Sequence, residues 1–456
     1  MSQSTTDLVV RNSSNNEPFS SILNKSMSRR AVMRGGLGAI LAVATGGGLA
    51  ACGSGDDAES SGGNDPAPKL ALGFQSLPVS MTDACVVPAG YVAHVLGPWG
   101  TPLDDNAAAW DPNGNNTSHD LLHSTGMHHD GMHYFPIDGS SAEGLLAVNH
   151  EYIDEVALHP SGPTAPNGKR PAEEARKEIN AHGVAILHIR KTSGRWNIVK
   201  NSRYNRRFTS ATPMSLAGPV RASDWVKTPF SPNGSQVRGT NNNCGNGHTP
   251  WGTYLTCEEN WAACFKNSAE QPREQKRVGV PSASGRYKWE TAAGDPSEVN
   301  GEFARFDITP TGADALQDWR NEINGFGYIV EIDPFDPSSI AIKRTAMGRF
   351  AHEGCAFGKL EAGKPISFYS GDDSRFEYIY KFVSEAVWDP ADLGRSDRLA
   401  VGAKYLDKGT LYVARFDADG TGVWLPLVES TIGKEGRTLG AEFGSLDAII
   451  INTRGA

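Results

Sequence analysis

The chain has 456 residues with 51 Gly and 27 Pro, and its 39% hydrophobic share plus glycine reaches the globular norm, which excludes a disordered or collagen-like chain. Its 43 Lys+Arg against 52 Asp+Glu leave a net charge of −9, and no basic patch follows residue 40. That balance argues against nucleic acid as a partner and leaves carboxylates free for divalent cations.

The N-terminus reads as an address. A polar Ser/Asn-rich stretch leads to Ser28-Arg29-Arg30-Ala31-Val32-Met33, a twin-arginine pair, and then to a glycine-rich apolar run too short to span a membrane. It closes on Leu49-Ala50-Ala51-Cys52, small residues before a cysteine, where bacterial lipoproteins are cleaved and acylated. Residues 53–68 form a Gly/Ser/Asp/Pro tether. The expectation is a signal peptide over 1–51, a tether over 52–70 and a folded body over 71–456. Export would use the twin-arginine machinery, with Arg29 and Arg30 as the signal. The protein would end up periplasmic or at the cell surface, held to a membrane by lipid on Cys52.

The body carries one helical pattern, Pro171 to Ile179, short, charged and expected to be exposed. Short strands between Gly, Pro, Asn and Asp fill the rest: Leu145–Asn149, Val184–Ile189, Trp196–Val199, Tyr254–Cys257, Tyr328–Ile332, Ile366–Ser370, Tyr378–Val383 and Leu411–Phe416. This pattern predicts an all-β fold, and the length favours a β-propeller with elaborated loops over a single sandwich. Three of the strands end in acids, at His150-Glu151, Glu258-Glu259 and Asp372-Asp373, and Glu353 follows in Gly348-Arg349-Phe350-Ala351-His352-Glu353. In a propeller, inner strand ends converge on one channel, so these acids could share a pocket; turn chemistry explains strand-end Asp equally well.

Cys244 lies in Asn241-Asn242-Asn243-Cys244-Gly245-Asn246-Gly247, a loop whose glycines allow close approach of a ligand. A thiolate beside carboxylates suits iron better than calcium, and the competing reading is a buried packing cysteine. Cys257, Cys264 and Cys355 read as packing residues. The histidines between 119 and 133 read as an exposed loop, with a copper or zinc site as the alternative. No nucleophile elbow, phosphate loop or dinucleotide fingerprint is present.

Seven blocks in order carry a resemblance: HDGMHYFP (129–136), LLAVNHEYI (145–153), AHGVAILHI (181–189), NNNCGNGHTPWGTYLTCEEN (241–260), GRFAHEGC (348–355), GDDSRFEYIYKFVS (371–384) and GTLYVARF (409–416). Together they resemble the PhoX-type alkaline phosphatases. The resemblance implies a propeller that hydrolyses small phosphate monoesters at an iron pair (Fe3+) with calcium ions (Ca2+). It makes Cys244 the bridging thiolate and Glu259 and Glu353 carboxylate ligands, with Glu151, Glu258, Asp372 and Asp373 assigned to the calcium shell. Arg349 and Arg375 are phosphate contacts on chemical grounds. The blocks stop at Asn452-Thr453-Arg454, where the family pattern continues into Arg-Pro-Glu, so the expectation is a C-terminally shortened, incomplete propeller of weak or absent activity. Two rivals stand beside the phosphatase. One is a calcium-dependent propeller lactonase or esterase, which needs no thiolate; the other is a non-enzymatic surface lipoprotein, which needs no transition metal.

Overall fold

The computed structural model describes residues 73–292 and 301–456. Residues 73–80 and 88–90 belong to a separate unit and hold no helix or strand; Met81–Val87 and Tyr91–Ala456 form the other unit, described below. The signal segment, Arg29, Arg30 and Cys52 lie outside the described residues. Among the described residues no helix is long and apolar enough to cross a membrane.

Among the described residues sixteen strands make three open sheets. The first contains β1 (His129–Pro136), β2 (Glu143–His150), β3 (Gly183–Thr192), β4 (Arg195–Ile198) and β5 (Arg206–Phe208). It runs β1-β2-β3-β4, with β5 also on β3. The second contains β6 (Pro213–Ala217), β7 (Gln236–Arg238), β8 (Asn243–His248), β9 (Tyr254–Glu258), β10 (Ile329–Ile332) and β11 (Ile342–Arg344). Its order is β7-β6-β11-β10-β9-β8, and the β6–β11 pair is parallel. The third is an antiparallel meander of β12 (His352–Phe357), β13 (Pro365–Asp372), β14 (Ile379–Val387), β15 (Gly409–Phe416) and β16 (Gly422–Pro426).

One edge strand of each sheet meets at a seam, β8 packing against β1 and against β12, so the sheets radiate from it as blades radiate from a propeller channel. Glycine permits the seam. A Cβ on Gly247 of β8 would fall 1.7 Å from the Cys355 carbonyl oxygen of β12. One on Gly245 would lie 2.5 Å from the Gly354 nitrogen, and one on Gly131 of β1 2.7 Å from the Cys244 oxygen. The glycines around Cys244 therefore serve strand-to-strand approach, a use different from the ligand approach expected of them.

All eight expected strands form, with ends shifted by a residue or a few. Several in the first two sheets are strongly buried: β10 at every position and β3 over its first seven, whereas β4 is half-exposed. Burying a large apolar side chain contributes roughly 1.5–3 kcal/mol, so Trp251, Trp261 and Trp289, each almost fully enclosed, are major contributors.

The expected helix is present as Ala172–Ala181, but it is not a solvated face. Ala172, Ala175 and Ile179 pack inward, and Glu178 is completely buried. Its carboxylate accepts from Arg170, from His159 Nε2 at 2.9 Å and from Trp289 Nε1 at 2.8 Å. A buried carboxylate needs such partners, and all of them lie outside the helix, where periodicity does not reach.

Candidate metal centre

Each strand pair at the seam delivers two donors to one place. In the first, the register slips between His129 and Met132, and this bulge carries Asp130; Glu151 comes just after β2 ends at His150. In the second, the slip between Asn243 and Asn246 carries Cys244, and Glu259 comes just after β9 ends at Glu258. In the third, Glu353 stands immediately before the slip between Glu353 and Ala356, and Asp373 comes just after β13 ends at Asp372. Bulges re-aim side chains out of the regular alternation, and here each of three edge strands uses one.

The six groups interact. Donor atoms of Asp130, Glu151 and Cys244 lie within 4.8 Å of one another, and Cys244 Sγ is 4.0 Å from Glu353 Oε1. Burial raises the Glu259 carboxyl to about 9, with hydrogen bonds to Asp373 and Glu151 adding to the effect. Glu353 is raised first by its hydrogen bond to Asp373 and then by burial. Glu151 is raised by burial and by the charge of Asp130. The Cys244 thiol is raised by burial, by its hydrogen bond to Asp130 and by the surrounding carboxylates. Crowded acids that resist ionisation become good ligands when a cation supplies the opposite charge. The cluster is open on one side: Glu259 is buried, whereas Glu353 and Asp373 are exposed. A cavity of about 100 Å³ lies beside Glu259, bordered by Asn260, Trp261, Ser374 and Arg454, room for a few waters.

Buried asparagines hold the frame. Asn149 Nδ2 donates to the carbonyls of Cys244 and Gly245, while its oxygen accepts from Tyr254 at 2.9 Å and Thr256 at 2.8 Å. This ties β2 to the bulge of β8. Asn242, at φ 47°, donates to the Glu151 carbonyl at 3.1 Å, and its own carbonyl accepts from the Glu259 amide at 3.1 Å. Asparagine tolerates that left-handed backbone better than most residues.

The structure thus brings together Cys244, Glu259, Glu353, Glu151 and Asp373, and adds Asp130, which the sequence reading missed inside the histidine-rich stretch. That stretch is not a loop at its distal end, since His129 to His133 open β1. Glu258, Asp372 and Arg349 are held elsewhere than expected. Glu258 is fully buried, paired with Lys343 at 2.7 Å and accepting from the amides of Gly327 and Tyr328. Asp372 is held by Arg454, with both oxygens at 2.6 Å, and so supports Asp373 from behind. Arg349 is 1% exposed, and its guanidinium donates to the carbonyls of Phe326, Ile323 and Ile451 at 3.0–3.2 Å. No external phosphate reaches it. Arg375 is exposed, two residues beyond Asp373.

A family model described as "Alkaline phosphatase PhoX" matches residues 72–456. The chain belongs to the PhoX alkaline phosphatase family. Among solved structures it is similar to "Pseudomonas fluorescens PhoX in complex with vanadate, a transition state analogue", with 38% identity and a TM-score of 0.72. The similarity covers 84% of this chain and 62% of that one, so the chain spans less than two thirds of the PhoX structure. The comparison with curated proteins finds no match. The radiating sheets are the propeller-like arrangement of PhoX, and none of them closes into a barrel.

Proposed function

We propose that this protein is a metal-dependent phosphatase that hydrolyses small phosphate monoesters to inorganic phosphate and an alcohol. The observation that carries the reading is the convergence of one thiol and five carboxylates, two from each of three strand pairs, at one open point in a PhoX-family chain.

The donor set fits a mixed centre. Carboxylates are hard oxygen ligands suited to Ca2+, and a thiolate among them favours iron. Asp130, Glu151, Cys244, Glu259, Glu353 and Asp373 would hold the ions. When bound, such ions supply Lewis acidity and neutralise charge on the transferring phosphoryl group. The chain's own task is positioning. The bulges and the buried asparagines fix the donors, Arg454 locks Asp372 behind Asp373, and the exposed Glu353–Asp373 side leaves an approach for substrate. The cysteine disfavours the lactonase rival, whose calcium needs no thiolate. The twin-arginine pair and Cys52 support an exported protein tethered to a membrane by lipid.

The test is elemental analysis of purified protein together with p-nitrophenyl phosphate turnover, with and without chelator. Iron and calcium should be present, and chelation should abolish turnover. Cys244→Ala should remove iron and lower activity far beyond the 10–100-fold typical of groups behind the ligands. Full iron content in that variant would return Cys244 to a packing role, and turnover unaffected by chelation would end the metal reading.

A further inference from the structure

The donors of the cluster are all acidic, yet one cation stands at its rim. Arg286 is exposed, and its backbone amide is anchored to the Ala263 carbonyl at 2.7 Å. Its guanidinium lies over the ring of Tyr152, with Cζ 4.9 Å from the centroid, and is hydrogen-bonded to the Tyr152 side chain. Tyr152 directly follows Glu151, and its phenol feels the charges of both Glu151 and Glu259. The charge of Arg286 reaches Glu151 as well.

Three other arginines near the seam are committed elsewhere, which leaves Arg286 and the exposed Arg375 beyond Asp373. Arg454 is bound to Asp372, Arg277 to Glu377, and Arg349 to backbone carbonyls. Among the described residues Arg286 rests on the Tyr152 face and bonds the phenols of Tyr152 and Tyr287, with no carboxylate ion pair. Stacking uses the face of the guanidinium, so of its five N–H groups those not bonded to the two phenols stay free along the edge, and the charge is kept. The edge is the part that grips a phosphate in two-point fashion.

We infer that Arg286, held on the Tyr152 ring, is a substrate-binding residue that grips the anionic phosphate group at the mouth of the cluster. The inference rests on the metallophosphatase reading above and extends it to the substrate. It also supplies a phosphate contact that Arg349, buried under backbone carbonyls, does not provide. A competing role for the same cation is charge balance for the carboxylates, and the two roles part in experiment.

The probe is inorganic phosphate, titrated calorimetrically into the full chain loaded with iron and calcium. Arg286→Ala should weaken phosphate binding about 10- to 100-fold, the loss of one charged hydrogen-bonding group, with metal content unchanged. Arg286→Lys should recover part of the loss, since it restores the charge without the fork. In p-nitrophenyl phosphate turnover, KM should rise more than kcat falls. Tyr152→Leu, which removes the platform, should show a smaller loss in the same direction. Wild-type phosphate affinity in Arg286→Ala overturns the inference, as does a loss of metal that accounts for the weaker binding. If the metal-loaded wild type binds no phosphate, the parent reading fails and the inference falls with it.

Discussion

His182 sits fully buried against Tyr287 and Trp289, with Nδ1 bonded to the Glu178 carbonyl at 2.8 Å and Nε2 to the Tyr287 hydroxyl at 3.3 Å. Burial lowers its pKa to about 4 from 6.5. Between those values the unfolded chain takes up a proton that the folded chain refuses, so stability falls as pH drops through that window. The full contribution is present above pH 6.5, and at pH 5 about 2 kcal/mol of it has gone. His182→Gln should flatten this part of the profile, measured as the difference between wild-type and variant urea midpoints at pH 7.5 and pH 5. Parallel profiles would contradict the assignment. The same scale explains which site residues could be read from sequence. Of each adjacent acid pair only one member faces the cluster. Side chains alternate along a strand, so Glu258 inside β9 points to Lys343, whereas Glu259, past its end, turns to the cluster. Asp372 and Asp373 divide in the same way. Pairing acids by eye finds the place, and alternation picks the member. Asp130 escaped because the histidines around it suggested a loop.

At the level of strands, the seam of β1, β8 and β12 depends on missing side chains. Gly247→Ala would push a Cβ against the Cys355 carbonyl, a backbone atom that cannot swing aside. Overpacking of this kind costs about 1–3 kcal/mol and sometimes more, and here it should also part β8 from β12. Gly433→Ala, with only ordinary contacts at 3.6 Å, is the control and should be near neutral. Chemical denaturation with metal analysis distinguishes the two; equal stability and equal metal content in both variants would show that the seam tolerates a methyl group. These three strands are among those that sequence periodicity passed over. β10 and β3 are rich in Val and Ile and announce themselves, as does the alternation of β13. β8 reads Asn-Cys-Gly-Asn-Gly-His and β12 reads His-Glu-Gly-Cys-Ala-Phe, compositions dictated by bulges and close approach rather than by a core. Only the ordered series of family blocks marked them.

Across the whole molecule, three sheets meet where acids crowd, and nothing but cations or protons relieves that crowding. Chelation should therefore lower the melting temperature. A ligand bound only by the folded state adds about 2.7 kcal/mol at a hundredfold excess over Kd, which for a domain of this size means a rise of several degrees on adding back calcium and iron. Scanning calorimetry with and without chelator measures it, and identical transitions would mean the cluster holds no ion in solution. The radiating architecture was legible from many short strands and turns, and the resemblance put Cys244 and Asp373 at one site; the place of Asp130 beside them was not legible, because that neighbourhood is created by long-range docking. That distribution has a kinetic consequence. An ion gripped by donors from all three sheets leaves by the open side only after several of those contacts let go, so its release is coupled to motion of the sheets against one another. Radiolabelled calcium would then leave the protein at the pace of its slowest breathing, turning the metal into a clock for motions between the blades.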